Sequence, residues 1–188
     1  SLIIKYERFG DDHTYDQITG KSTFKTHNPK GDMLYGIEIF INPEYRGLRL
    51  GRRLYDARKE LCESLNLKAI IFGARMPNYH RHSELLSPKE YILKVKFKEI
   101  FDPVLTFQFS NDFHVKKVMR NYMPDDRESA QYAALMQWNN IYYTPPTEPQ
   151  HATNTVRLGL AQWQMRHYRS IEGLFEQVEY FVEAVSNY

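Results

Sequence analysis

The stretch Asn42-Pro43-Glu44-Tyr45-Arg46-Gly47-Leu48-Arg49-Leu50-Gly51-Arg52-Arg53-Leu54 decides how this chain is read. An apolar run precedes it, two glycines and four arginines fill it, and a helical pattern begins inside it. A strand end therefore passes through a tight basic loop into a helix N-terminus. In such a turn successive backbone N–H groups and the positive helix end converge on phosphate without a metal, and glycines let the backbone approach closely. Arg46, Arg49, Arg52 and Arg53 add guanidinium forks suited to phosphate oxygens. A basic patch opening an amphipathic helix is also an ordinary solvated face, so the surrounding order has to arbitrate.

Upstream, residues 33–42 are rich in β-branched and aromatic side chains and end at Pro43, which predicts a buried strand. Downstream, Leu50, Leu54, Ala57, Leu61 and Leu65 share one helical face, with Arg52, Arg53, Asp56, Lys59 and Glu63 around the other side. This predicts a surface helix over 50–66 with Cys62 on its inward side beside Leu61 and Leu65. Residues 67–73 read as a second short strand, completing a βαβ-type unit. Before this unit come an apolar run over 2–6 and a polar excursion over 10–32.

After it, Ser87-Pro88-Lys89-Glu90 supplies an N-cap, a first-turn proline and a capping glutamate, predicting a helix to about residue 100. Asp102-Pro103 repeats the device for a short helix towards Asn111-Asp112-Phe113, and a strand should follow over 115–123. Residues 130–140 are ambiguous, because Ala133-Ala134-Leu135-Met136 favours helix by propensity. Thr144-Pro145-Pro146-Thr147-Glu148-Pro149 is the clearest linker. Beyond it residues 156–161 alternate as a strand, and Ile171, Leu174, Phe175, Val178, Phe181, Val182 and Val185 mark one helical face.

Composition bounds the function. The 188 residues carry 25 Lys/Arg against 23 Asp/Glu, so near-neutral charge removes the compositional case for nucleic acid. With 42% hydrophobic residues the chain can build a core, and no run approaches the ~18 apolar residues of a membrane span. The single cysteine, Cys62, excludes an internal disulfide and a cysteine zinc cluster and fits a reducing cytoplasm, which is the expected location. The chain opens on Ser1 straight into a strand-like run and stops at Ser186-Asn187-Tyr188 just after the helical pattern. Both ends read as edges of a piece of a longer polypeptide.

Pro43-Glu44-Tyr45-Arg46-Gly47 followed by Gly51 and Leu54, after an apolar strand, resembles motif A of the GCN5-related N-acetyltransferase (GNAT) superfamily. The resemblance implies a mixed α/β (α+β) fold with a mainly antiparallel sheet flanked by helices, covering about residues 1–143 without the family's first strand and following helices. It also implies acetyl-CoA as cosubstrate and an amine as acceptor. By resemblance the strand residues Ile39, Phe40 and Ile41 hold the pantetheine arm. The loop residues Arg46, Gly47, Leu48, Arg49, Leu50 and Gly51, with Arg52, hold the pyrophosphate. Arg49 stands where the family pattern has its first glycine, so a positive φ there carries strain.

A second resemblance lies beyond the linker of 144–155. Val156-Arg157-Leu158-Gly159-Leu160-Ala161-Gln162 and the following amphipathic pattern are similar to the opening strand and helix of carbon–nitrogen hydrolases, the nitrilase superfamily. Residues 156–188 would then be the start of an amidase domain whose catalytic residues lie after Tyr188. A homo-oligomer would form through the missing part of that domain.

Acetyl transfer needs a deprotonated amine and an acid for the leaving thiolate. Glu38 is the candidate base, with Tyr35 three residues earlier, and a solvent-facing carboxylate is the competing reading of Glu38. In many GNAT proteins a tyrosine five residues before the Phe of a Gly-Phe turn is the acid. Here Asn111-Asp112-Phe113 resembles that turn and Gln108 stands at the tyrosine's place. His80-Arg81-His82 has two histidines without a third ligand, which favours a solvated loop over a metal site. No constellation is visible for His13, His27, His114, His151 or His167. Two function classes stay open: an acetyltransferase domain attached to a hydrolase, or a non-catalytic acyl-CoA-binding or interaction module attached to it.

Overall fold

Five strands form one sheet in the order β1-β2-β3-β5-β4, where β1 is Leu2–Ile4, β2 Met33–Tyr35, β3 Ala69–Arg75, β4 His114–Met119 and β5 Ala133–Asn139. In this computed structural model residues 1–146 are described, together with the helical positions Phe175 and Val178. The chain divides into two compact units, Ser1–Asn140 and Ile141–Tyr188. The hydrolase-like strand over 156–161 and most of the helix after 170 lie outside the described residues.

The sheet is mixed and mainly antiparallel. β2 and β3 are its parallel pair, joined by helix α2 (Leu50–Ser64), and the other neighbours run antiparallel. The βαβ reading and the expected fold class therefore hold. The polar excursion contains a short helix, α1 (Tyr15–Thr19), that the sequence reading passed over although Thr14 and Gln17 make its capping box. Helices α3 (Pro88–Lys96) and α4 (Pro103–Phe109) start at the Ser87 and Asp102 caps. Asp102 is fully buried, and it accepts from the Val104 and Leu105 amides and from the Tyr91 hydroxyl, so one carboxylate caps α4 and ties it to α3.

Three expectations need correction, and one open reading is settled. Helix α3 ends at Lys96 rather than near residue 100, because Lys98 takes a left-handed φ of 63°. The strand expected over 115–123 spans only His114–Met119, since Asn121 turns the chain at a φ of 51°. Residues 133–139 form a strand despite their helical propensity. They lie between β3 and β4 with seven residues paired to β3, and this tertiary pairing outweighs a few tenths of a kcal/mol per residue of preference.

The third correction concerns α2. Its buried residues are Gly51, Tyr55 and Cys62, whereas Leu54, Leu61 and Leu65 remain 43%, 44% and 46% exposed. The helix turns its compact aromatic and thiol side inward because Tyr55 fits among Phe72, Phe107 and Phe113, with ring centroids 5.1–6.2 Å away. Cys62 is buried as expected, and desolvation pushes its thiol up to about 12, which leaves it a small hydrophobe.

Candidate functional site: a splayed strand pair and a basic loop

The parallel pairing of β2 with β3 covers only Leu34 with Ile70 and Tyr35 with Ile71, plus one further bond from the Gly36 N–H to the Ile71 carbonyl. The strand expected to continue to residue 42 leaves the sheet here. Among the described residues, the backbone of 37–41 makes a single hydrogen bond, from the Arg58 guanidinium to the Glu38 carbonyl at 2.6 Å. The edge exposed by this divergence is a row of backbone groups that need partners from solvent or ligand. It borders a cavity of about 1030 Å³ that extends from Gly36 and Gly73 to the Arg46–Arg52 loop, with Phe107 and Gln108 of α4 on another wall.

At the loop end, Pro43–Tyr45 form one 3-10 turn, and Arg49 precedes α2 in the left-handed region at φ 56°. The strain expected from an arginine at this glycine position is therefore present. None of the amides of Gly47 through Arg52 donates a backbone hydrogen bond among the described residues. Gly51 is required by close approach: a Cβ there would stand 2.9 Å from the Phe107 ring. The first turn of α2 holds no acidic residue, and Arg46, Arg49, Arg52 and Arg53 all stand exposed around its positive end. Cations at a helix N-terminus oppose the dipole by a few tenths of a kcal/mol each, which an anion would reverse.

At the apex, three buried polar side chains meet. His13 Nε2 lies 2.8 Å from the Tyr35 hydroxyl, which lies 2.9 Å from the Tyr122 hydroxyl and 3.2 Å from the Gly73 N–H. Donor accounting orders this chain. The Gly10 carbonyl, 2.8 Å from His13 Nδ1, can only accept, so Nδ1 carries the proton and Nε2 accepts from Tyr35. The Tyr35 oxygen in turn accepts from Tyr122 and from Gly73. Burial depresses the His13 pKa, raises Tyr35 well above its ordinary value and pushes Tyr122 up to about 12, so all three are neutral at pH 7. The Tyr122 ring lies directly on Gly73, where any Cβ would collide with it.

Ile39, Phe40, Ile41, Arg46, Gly47, Arg49, Leu50, Gly51 and Arg52 all line the cavity. Leu48 does not; it points away and is 60% exposed. Glu38 is at the cavity with an exposed side chain. Gln108 is buried in the wall, and its Oε1 has no hydrogen-bond partner among the described residues. Beside it lies Tyr55, raised by burial and drawn partly back by Arg58 and the Gln108 amide. His80 and His82 are absent from the cavity wall; His80 Nδ1 faces the carbonyls of Pro77 and Glu128 instead. The sequence reading missed Tyr55, Arg58 and the grouping of His13 with Tyr35 and Tyr122. The tyrosine at the sixth position of α2, interrupting its leucine pattern, was the available signal for Tyr55.

Residues 6–83 match the profile of the acetyltransferase (GNAT) family. The first unit has the GNAT fold, and its first part matches that family's profile. Its fold resembles the loading GNATL domain of CurA from Lyngbya majuscula, with a TM-score of 0.64 at 21% identity over 74% of this chain and 68% of that one. It also resembles the GphF GNAT-like decarboxylase in complex with isobutyryl-CoA, with a TM-score of 0.59 at 15% identity over 74% and 69%. Among curated proteins, the chain is 42% identical over its whole length to the probable hydrolase YhcX of Bacillus subtilis (strain 168), of which it spans 37%. It is also 34% identical over 143 residues to the uncharacterized N-acetyltransferase YkwB of the same organism, covering 76% of this chain and 63% of that one. Among the described residues no helix is long and apolar enough to cross a membrane.

Proposed function

We propose that the GNAT-type domain binds an acyl-CoA in the cavity between β2 and β3 and transfers its acyl group, acetyl in the simplest case, to an amine. The supporting observation is the set of unmet partners along the cavity among the described residues: the backbone groups of 37–41 apart from the Glu38 carbonyl, the amides of Gly47–Arg52 and the orphaned Oε1 of buried Gln108. These suit, in turn, the amides of a pantetheine arm, a pyrophosphate and one further ligand N–H. Arg46 and Arg52 supply the phosphate forks. Glu38 is the base that takes the amine proton. The neutral Tyr55 phenol is the acid on the wall where Gln108 has no proton to give.

We further infer, from the likeness to the probable hydrolase YhcX and the resemblance of residues 156–162 to the opening strand of carbon–nitrogen hydrolases, that this domain precedes such a hydrolase domain in a longer protein, with the cytoplasm as the location that the single cysteine fits. The domain boundary is assigned to a linker over 144–155.

Calorimetric titration of CoA against the chain and its Arg46→Ala/Arg52→Ala variant tests the site. Removing two exposed guanidiniums from phosphate should weaken binding about tenfold, and the difference should shrink as salt rises. Equal affinities would remove the loop from the site. Release of free CoA with a panel of amines, lost in Glu38→Gln, tests transfer. Gln108 favours the second reading, a binding module without turnover, and binding of CoA with no release of thiol would establish it.

A further inference from the structure

Two arginines reach the cavity near the splay, and they are treated differently. Arg75, at the end of β3, donates to Asp126 at 2.6 and 2.7 Å and to Glu128 at 2.9 Å, so its charge is met twice. Arg58, three residues beyond Tyr55 on α2, is partly buried and has no carboxylate partner among the described residues. Among the described residues its guanidinium donates to the Glu38 carbonyl, at 2.6 Å, and lies over the Tyr55 ring, at 5.9 Å.

Its position is specific. A Cβ on Gly36 would stand 3.3 Å from Arg58 Nη1, and Gly36 is the last residue of the β2 side bonded to β3. The guanidinium therefore sits at the apex of the splay. From Gly51 to Arg58 is seven helical residues, a rise of about 10 Å. A half-buried guanidinium that keeps most of its five donors unspent is costly unless an anion joins it. The phosphates belong to the other end of α2, so the anion at Arg58 is a different group.

Resting on the acyl-CoA reading above, we propose that Arg58 recognises a carboxylate at the end of the acyl group. The preferred thioester is then the CoA ester of a short dicarboxylic acid, such as a malonyl or succinyl ester, over the acetyl ester. Gly36 serves this role by leaving room for the guanidinium beside the strand. An amine acceptor that carries a carboxylate offers the same chemistry, and measuring binding without acceptor separates the two sources.

The experiment is calorimetric titration of the 188-residue chain with CoA, acetyl-, butyryl-, malonyl- and succinyl-CoA in the absence of amine. It is repeated with Arg58→Met and Arg58→Lys, whose folding is checked by thermal melting. A charge-assisted bidentate contact at a partly exposed site should favour a carboxylated ester over its neutral counterpart about tenfold. Arg58→Met should bring that ratio to about one, while Arg58→Lys keeps part of it. Equal affinities for succinyl- and butyryl-CoA in the unaltered chain would overturn the proposal, as would a preference that survives in Arg58→Met. Failure of CoA itself to bind would instead overturn the underlying acyl-CoA reading, and the two failures are told apart by that arm.

Discussion

The two ends of the cavity are built on opposite principles. At the loop end, Arg46, Arg49 and Arg52 stand exposed around amides that donate to nothing among the described residues. At the apex, His13, Tyr35 and Tyr122 are buried and consume one another's hydrogen bonds. The loop leaves its donors without protein partners among the described residues; the apex is satisfied within itself. In the parallel ladder, Gly73 loses a backbone partner where β2 departs, and the Tyr35 hydroxyl takes that N–H. Stability should therefore reside at the apex and affinity at the loop, and variants at each end can break that division.

The largest effect is expected at Gly73. A methyl there must displace the Tyr122 ring and the hydrogen-bond chain behind it, so Gly73→Ala should destabilise the domain by about 3 kcal/mol in chemical denaturation. Next comes Tyr35→Phe, which strands the His13 nitrogen, the Tyr122 hydroxyl and the Gly73 N–H; about 2 kcal/mol is expected. Against these, Arg46→Ala/Arg52→Ala should move the unfolding midpoint by no more than about 0.5 kcal/mol while weakening CoA binding. A loop variant that unfolds the domain would erase the distinction.

Much of the loop end was legible in the sequence because its signals are local. Glycines, arginines and a helix start lie within a dozen residues, and the positive φ of Arg49 follows from its place in the pattern. The apex was not legible, because His13, Tyr35 and Tyr122 come together only through the strand order and the excursion before β2. The face of α2 was misread for a related reason. Both Leu50-Leu54-Leu61-Leu65 and Gly51-Tyr55-Arg58-Cys62 fit a helical period, and only the aromatic side chains of β3 and α4 decide between them. The early end of β2 was hidden because splaying depends on a neighbouring strand, while residues 37–41 keep strand-like composition.

Acid should act on the apex before the loop. Burial holds the folded-state pKa of His13 below its unfolded value, so the unfolded chain binds the proton first. Stability from this group is present above the ordinary histidine range and is lost as pH falls through the depressed folded value. The melting temperature should decline as pH drops below about 6.5, and His13→Gln should flatten that decline. An unchanged slope would show that His13 is not what titrates.

Smaller effects sharpen the picture along α2. Relieving the left-handed Arg49 with Arg49→Gly should raise stability by up to about 1 kcal/mol, less the chain entropy that glycine adds to the unfolded state. Leu61→Ser, on the exposed stripe, should cost less than about 1 kcal/mol by thermal melting, well below a core leucine. A loss of several kcal/mol there would mean that the leucine face is covered in solution.

The central claim is that the opened strand edge and the basic loop form one acyl-CoA site. Amide NMR of the chain titrated with CoA tests it most directly. The claim predicts that the largest shifts fall together on residues 37–41 and on Gly47 through Arg52, and that the Arg46→Ala/Arg52→Ala variant needs more ligand to reach them. Shifts that cluster elsewhere, or that touch the loop while leaving residues 37–41 unmoved, would contradict it.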